Sequence, residues 1–328
     1  MAKSPNETDT SRVLLGERLR AGPSPLPSGL VDLLEAVAET GRAISLKVRR
    51  ARIEDVVGEA GATNIQGEAQ QKLDVIANDL ITTALVACPS VAVLASEEEE
   101  EATRVRSRDQ GGEYAVLFDP LDGSSNIDVA VGIGTIFSVL PNTFSDTETL
   151  ASALQPGSRQ VASGYLLYGS QVALVLTTGE GVDLYVLDPE SDEFVLVEAG
   201  LRVPRQKKIY SLNEAYVEDF PEGYQQYLAF AHGASYSGRY IGSMVADVHR
   251  TLLKGGVFIY PPTAQNPDGK LRLLYEANPM AHLMEQAGGR AITGEGRILE
   301  VEPAGIHQRI AVILGSPDEV DTVEQHLA

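Results

Sequence analysis

The chain has 328 residues, of which 43% are hydrophobic and 22% charged, with a net charge of −20 and a single cysteine, Cys88. That composition is globular and leaves room for one large or two ordinary domains. It argues against nucleic acid or an anionic membrane as partner, since both call for basic surface, and one cysteine excludes an internal disulfide or a zinc ribbon. Residues 1–28 are polar and rich in Pro and Ser, which predicts a flexible N-terminal arm. Its first residues lack the apolar core of a secretory signal, and no apolar stretch is long enough to span a bilayer, so a cytoplasmic protein is expected. A helix is predicted from about Ser28, read as its N-cap. Leu30, Leu33, Leu34, Val37, Ile44 and Val48 supply its apolar stripe. A second helix is predicted from about Gln70 to Ala87, with Leu73, Ile76, Leu80, Ile81 and Leu85 on one face.

Short apolar runs bounded by turns follow at Val91–Ala95, Tyr114–Phe118, Thr135–Leu140, Val161–Tyr168, Val172–Thr177 and Val182–Leu187, and these predict strands. Beyond a Pro- and Arg-containing stretch near residue 200 the pattern alternates. Strands are predicted at Ile209–Leu212, Val257–Tyr260 and Ile310–Leu314, and helices at Gly223–Ala231, Ser243–Leu253, Pro279–Ala287 and Pro317–His326. The fold class is therefore α/β in layers, with two halves, 29–200 and 201–328, in one compact subunit.

Residues 118–128, Phe-Asp-Pro-Leu-Asp-Gly-Ser-Ser-Asn-Ile-Asp, carry the most chemical information. A predicted strand delivers Asp119 and Asp122, with Pro120 between them in what reads as a turn. Carboxylates suit hard divalent cations, which take oxygen ligands. Gly123, Ser124 and Ser125 would let N–H groups and hydroxyls close around a phosphate. The same residues also suit an acidic surface turn. A second predicted strand ends in Ser96-Glu97-Glu98, so two strands place acid pairs at their C-terminal ends, where open α/β sheets hold ligands. Glu99–Glu101 continue that run and read as a solvated loop. Asp74 lies beside the apolar stripe of the second helix. In Lys270-Leu-Arg-Leu-Leu-Tyr-Glu276, a period of two would align Lys270, Arg272 and Glu276 on one strand face, with Asn278-Pro279 opening a helix. Those groups could serve phosphate and metal or form an exposed edge. Arg239-Tyr240-Ile-Gly242-Ser243-Met244 precedes a helix whose free N–H groups could hold an anion; a plain helix start is the other reading.

The segments GEAQQKLDVIANDL, VLASEEE, FDPLDGSSNIDV, GTIFSV, LQPG, GYLLYG, SLNEAY, RYIGSMVADVHRTL, GKLRLLYEANPMA and AGG, in this order, closely resemble class I fructose-1,6-bisphosphatase. This is a branch of the inositol-phosphatase-like, metal-dependent sugar phosphatases, and the resemblance covers roughly residues 30 to 328. It implies a layered α-β-α-β-α fold, usually a homotetramer, and magnesium-dependent hydrolysis of the 1-phosphate of fructose 1,6-bisphosphate to fructose 6-phosphate, in gluconeogenesis or in the Calvin cycle. Magnesium, or manganese or zinc in its place, would be held by Glu97, Glu98, Asp119, Asp122, Glu276 and the Leu121 carbonyl. Asp74, with Glu98, would activate the attacking water. Asp122, Gly123, Ser124 and Ser125 would surround the phosphoryl group. Asn213, Tyr216, Tyr240, Tyr260 and Lys270 would bind the 6-phosphate and sugar, and Gly242, Ser243, Met244 and Arg272 would shape the pocket. Arg239 would be contributed across a subunit interface.

The chain departs from the animal pattern for AMP inhibition. It has Pro27-Ser28-Gly29 in place of a Thr-Gly-Glu turn, Glu113 in place of a lysine before Tyr114, and Pro141 where an arginine aligns. Weak or absent AMP inhibition is expected. The competing readings are a sedoheptulose-1,7-bisphosphatase or dual bisphosphatase, and a catalytically dead sugar-phosphate binder.

Overall fold

The structure, a computed structural model, describes residues 12–63, 69–143 and 149–328. Its helices are α1 (Leu15–Ala21), α2 (Ser28–Arg50), α3 (Lys72–Ala87), α4 (Glu222–Gly233), α5 (Met244–Lys254), α6 (Asn278–Gln286) and α7 (Pro317–Leu327). A large mixed sheet takes, in chain order, β1 (Val91–Ser96), β2 (Thr103–Arg104), β3 (Tyr114–Asp122), β4 (Ile133–Pro141), β5 (Ala162–Tyr168), β6 (Val172–Thr177), β7 (Asp183–Asp188) and β8 (Glu193–Glu198). Its spatial order is β8-β7-β6-β5-β4-β3-β1-β2, a meander of antiparallel neighbours except for the parallel pair β1 and β3. A second sheet is built from β9 (Ile209–Ser211), β10 (Ser237–Gly238), β11 (Val257–Tyr260), β12 (Arg290–Ile292) and β13 (Val312–Gly315), in the order β10-β9-β11-β13-β12.

The layering follows from which faces are apolar. The central strands of the large sheet are buried on both sides, which is why they read as continuous apolar runs rather than alternating ones. In β3, Val116 and Phe118 pack beneath α2 and α3, while Ala115 and Leu117 face the interior between the sheets. Helices α5 and α6 fill that interior and contact both sheets, and α4 and α7 cover the outer face of the second sheet. The result is the α-β-α-β-α stack expected from the resemblance. On α3, Leu73, Ile81 and Leu85 are buried against the sheet, each contributing about 1.5–3 kcal/mol relative to exposure. Among the described residues no helix is long and apolar enough to cross a membrane.

The structure corrects several sequence expectations. Residues 12–28 are not an arm. Leu15 and Leu19 of α1 bury their side chains one helical turn apart, and Arg12 and Arg18 pair with Asp188 and Asp183. The Pro- and Ser-rich stretch after α1 hid this short stripe; residues 1–11 lie outside the described ones. Ser28 is the first residue of α2 rather than its cap, a position held by Pro27. Asp119-Pro-Leu-Asp122 is the irregular end of β3 and not a separate turn. The Asp119 carboxylate accepts the Leu121 N–H (2.9 Å) and the Pro120 carbonyl accepts the Thr135 hydroxyl (2.8 Å), so the side chains hold the strand extended through the proline. Only Leu271–Arg272 of the predicted 270–276 strand is extended. A single π-helical turn, Leu273–Ala277, then runs straight into α6, so Asn278 lies within the helix instead of capping it.

Candidate active site

Registration of two parallel strands creates the site. Ser96 of β1 lies opposite Phe118 of β3, and the Glu97 N–H donates to the Phe118 carbonyl (3.1 Å). The residues immediately beyond, Glu97 and Asp119, are therefore neighbours. The π turn contributes the third element. Wide turns of this kind recur at functional sites, and here one turns Glu276 inward, where its Oε2 accepts the Arg272 backbone N–H at 2.5 Å. Asp119, Asp122 and Glu276 each offer an oxygen, and these oxygens all lie within 4.8 Å of one another.

All three carboxylates are buried. Desolvation, then the negative charges of Glu97, Asp122 and Glu276, hold Asp119 well above the usual carboxylate range. Glu276 is raised in the same way by burial, Glu97 and Asp122. Asp122 is pushed up to about 6, chiefly by burial, although the Val245 N–H donates to its Oδ2 at 2.7 Å. Buried acids facing one another are costly unless paired or bound to metal. A hard divalent cation with oxygen ligands fits this donor set and would remove the repulsion. Arg272, itself only 2% exposed, is the cation beside the cluster, with Nε 3.5 Å from Glu97 Oε1.

A cleft of about 310 Å³ opens over the acids. Glu97, Glu98, Asp119, Leu121 and Asp122 form its floor with Glu276 and Arg272, while Gly123, Ser124 and Ser125 form one wall. Gly123 has φ of +77°, and a Cβ there would stand 2.7 Å from Ser243 Oγ. Glycine alone meets both the left-handed backbone and the close approach of α5. Tyr240, Gly242, Ser243 and Met244 line the cleft next to that wall, and Tyr260 and Lys270 also line it. Tyr216 joins Tyr260 and Lys270 in an adjoining depression, and Asn213 lies beside Tyr240.

Besides Asn213 and Tyr216, two more predicted residues, Asp74 and Arg239, stand apart from the cleft lining. Asp74 is buried behind it at the first turn of α3, where its Oδ2 accepts the Gln71 N–H (2.9 Å). Its Oδ1 is buried without a hydrogen bond of ordinary geometry. Burial first, and the charge of Glu98 next, raise Asp74 to about 7, against the opposing pull of the Gln71 N–H and the Ser124 hydroxyl. Arg239 is exposed at the edge of the second sheet, donating to the Gly238 carbonyl at 2.7 Å, and does not line the cleft.

The anion site predicted at the start of α5 is changed by the structure. The chain's own carboxylates take some of the nearby donors: Val245 N–H of α5 goes to Asp122, and the Ile241 and Gly242 N–H groups just before the helix go to Asp247. Gln71, Asp247, Phe258 and Leu271 line the cleft without having been singled out in the sequence. For Asp247 a signal existed, an acid among the apolar residues of a helix's first turn. Glu99 is not simply solvated either, since its carboxylate accepts from Asn78 at 2.8 Å.

Comparison with known proteins agrees with the geometry. The N-terminal and C-terminal domain models of fructose-1,6-bisphosphatase match residues 12–199 and 203–328. The class 1 enzyme of Chlorobium chlorochromatii is 49% identical over 304 residues, covering 90% of this chain and 91% of that protein. Isozyme 2 of Rattus norvegicus is 46% identical over 327 residues, covering 97% and 95%. The holo crystal structure of Leishmania major fructose-1,6-bisphosphatase superposes with a TM-score of 0.91 at 40% identity, covering 96% of this chain and 99% of that one. The chain belongs to the fructose-1,6-bisphosphatase family.

Proposed function

We propose that the cleft hydrolyses the 1-phosphate of fructose 1,6-bisphosphate, releasing fructose 6-phosphate and inorganic phosphate. The observation that carries the proposal is the convergence of three buried carboxylates, Asp119, Asp122 and Glu276, beside the Gly123–Ser125 wall and the Arg272 guanidinium. Glu97, Glu98, the Leu121 carbonyl and those three acids would hold magnesium, with manganese or zinc as substitutes. When bound, the metal supplies charge neutralisation at the phosphoryl oxygens and a bound water acidic enough to attack near neutral pH.

The chain's own groups do the remaining work. Phosphoryl transfer depends mostly on positioning and charge stabilisation. Ser124, Ser125 and neighbouring N–H groups would orient the reacting phosphate, and Arg272 would offset its charge from within the acid cluster. Asp74, raised to about 7, is tuned for a general base at neutral pH and sits beside Glu98 and Ser124. Asn213, Tyr216, Tyr240, Tyr260 and Lys270 would hold the remote phosphate and the sugar. A tetramer in which Arg239 completes a neighbouring subunit's site would give that exposed guanidinium a role.

Weak AMP inhibition belongs to the same proposal. The Glu113 carboxylate stands 3.6 Å from where a Cβ on Gly29 would lie, at the positive first turn of α2. An acid there satisfies the helix dipole and repels a nucleotide phosphate. Pro141 pairs with Tyr114 across β3 and β4, so both altered positions sit together. The test is phosphate release from fructose 1,6-bisphosphate and sedoheptulose 1,7-bisphosphate side by side, with and without AMP. A preference for the fructose ester and insensitivity to AMP are expected. Comparable rates would make the enzyme a dual bisphosphatase, no release would mean a binding protein, and submicromolar AMP inhibition would overturn the regulatory reading.

A further inference from the structure

Asp247 is almost completely buried, at 1% exposure, on the first turn of α5. Its Oδ1 accepts the Ser211 hydroxyl at 2.6 Å and the Ile241 N–H at 2.9 Å, and its Oδ2 accepts the Gly242 N–H at 3.0 Å. These donors come from two separate segments. Ser211 ends β9, two residues before Asn213, and the 241–242 amides follow directly on Tyr240. The Asn213 and Tyr240 side chains, one from each segment, lie beside each other. One buried carboxylate thus gathers two of the segments that carry candidate groups for the remote phosphate, those of Asn213 and Tyr240. We infer that Asp247 is the positioning residue that sets the spacing of the remote-phosphate half of the cleft, and so governs affinity for bisphosphates over monophosphates. This rests on the fructose-bisphosphatase reading above.

The physical basis is the number and kind of bonds. Hydrogen bonds to an ionised acceptor are about twice as strong as neutral ones, and three donors from two segments converge on this carboxylate. Asparagine at this position would keep one acceptor oxygen and turn an NH2 toward an N–H or O–H that also donates. One segment would then have to move, and displacements near 1 Å at a substrate-positioning group cost about 100-fold. The acids of the reacting centre are held differently. Asp122 keeps its bond from Val245 N–H, and Asp119 and Glu276 are fixed by Leu121 and Arg272.

The experiment compares the wild type, Asp247→Asn and Ser211→Ala on fructose 1,6-bisphosphate and on fructose 1-phosphate, which lacks the remote phosphate. For Asp247→Asn, the KM for the bisphosphate should rise at least 20-fold while kcat falls less than fivefold, the signature of lost binding that is uniform through the reaction. The loss in kcat/KM should be at least tenfold greater for the bisphosphate than for the monophosphate. Ser211→Ala should shift both measures the same way by a smaller factor, which keeps the inference testable should Asp247→Asn fail to fold. Equal losses on the two esters, or a KM within threefold of wild type in a folded variant, would overturn it. Wild-type turnover of the bisphosphate separately tests the underlying reading; if that were absent, both would fall.

Discussion

Asp74 gives the site a stability signature that activity assays alone would miss. Its carboxyl rises from 3.8 to about 7 because it is buried beside Glu98. At about 1.4 kcal/mol per pH unit, ionising it in the metal-free protein costs about 4 kcal/mol of stability. The sign follows from proton counting. Between pH 3.8 and 7 the folded state still holds a proton that the unfolded chain has released. Stability of the metal-free protein therefore falls as pH rises through that window, and the full penalty is present above pH 7. Asn at position 74 never ionises. It can still accept the Gln71 N–H, as the neutral acid does. Asp74→Asn should thus stabilise the chelated protein by about 4 kcal/mol at pH 8 and by nothing measurable near pH 4. Urea titrations in excess chelator at the two pH values would read this directly. The same variant should lose about 100- to 10,000-fold in turnover, the range general bases contribute, while still binding substrate. A variant less stable than wild type at pH 8, or a gain independent of pH, would refute the assignment of a desolvated, charge-strained acid.

Turnover should fall on acidification, since Asp122 is raised to about 6 and its protonated form is no longer a metal ligand. Because protons and metal compete for the same acids, tenfold more magnesium should move the acid limb of the pH–rate profile to lower pH. Gly269 has φ of +98°, and a Cβ there would lie 2.2 Å from the Ile310 carbonyl carbon, so Gly269→Ala should destabilise the fold by about 2–4 kcal/mol. It should also raise the KM for the bisphosphate by displacing the adjacent Lys270; calorimetry and steady-state kinetics check the two effects.

Much of this could be read in the chain itself. The strands of the large sheet announced themselves because both faces are buried, and the acid pairs stood out because each follows such a run. What remained hidden has a common cause, side chains acting on the backbone. No periodicity shows that Asp119 and Thr135 keep Asp119-Pro-Leu-Asp122 extended. Alternation misread residues 270–276 because a π turn, closed by the Arg272 N–H on Glu276, has no sequence period of its own. Asp247 looked like an ordinary helical acid, since its partners lie 36 residues upstream and on a loop. α1 was lost because a seven-residue stripe is brief beside a Pro- and Ser-rich stretch.

Metal dependence of catalysis bears on the central claim most directly. The enzyme would be stripped with excess chelator, desalted, and assayed for phosphate release from fructose 1,6-bisphosphate before and after magnesium is restored. Release should drop to background on stripping and return in full with the metal, because Asp119, Asp122 and Glu276 are arranged to repel one another without it. Undiminished release from the stripped protein would contradict the account.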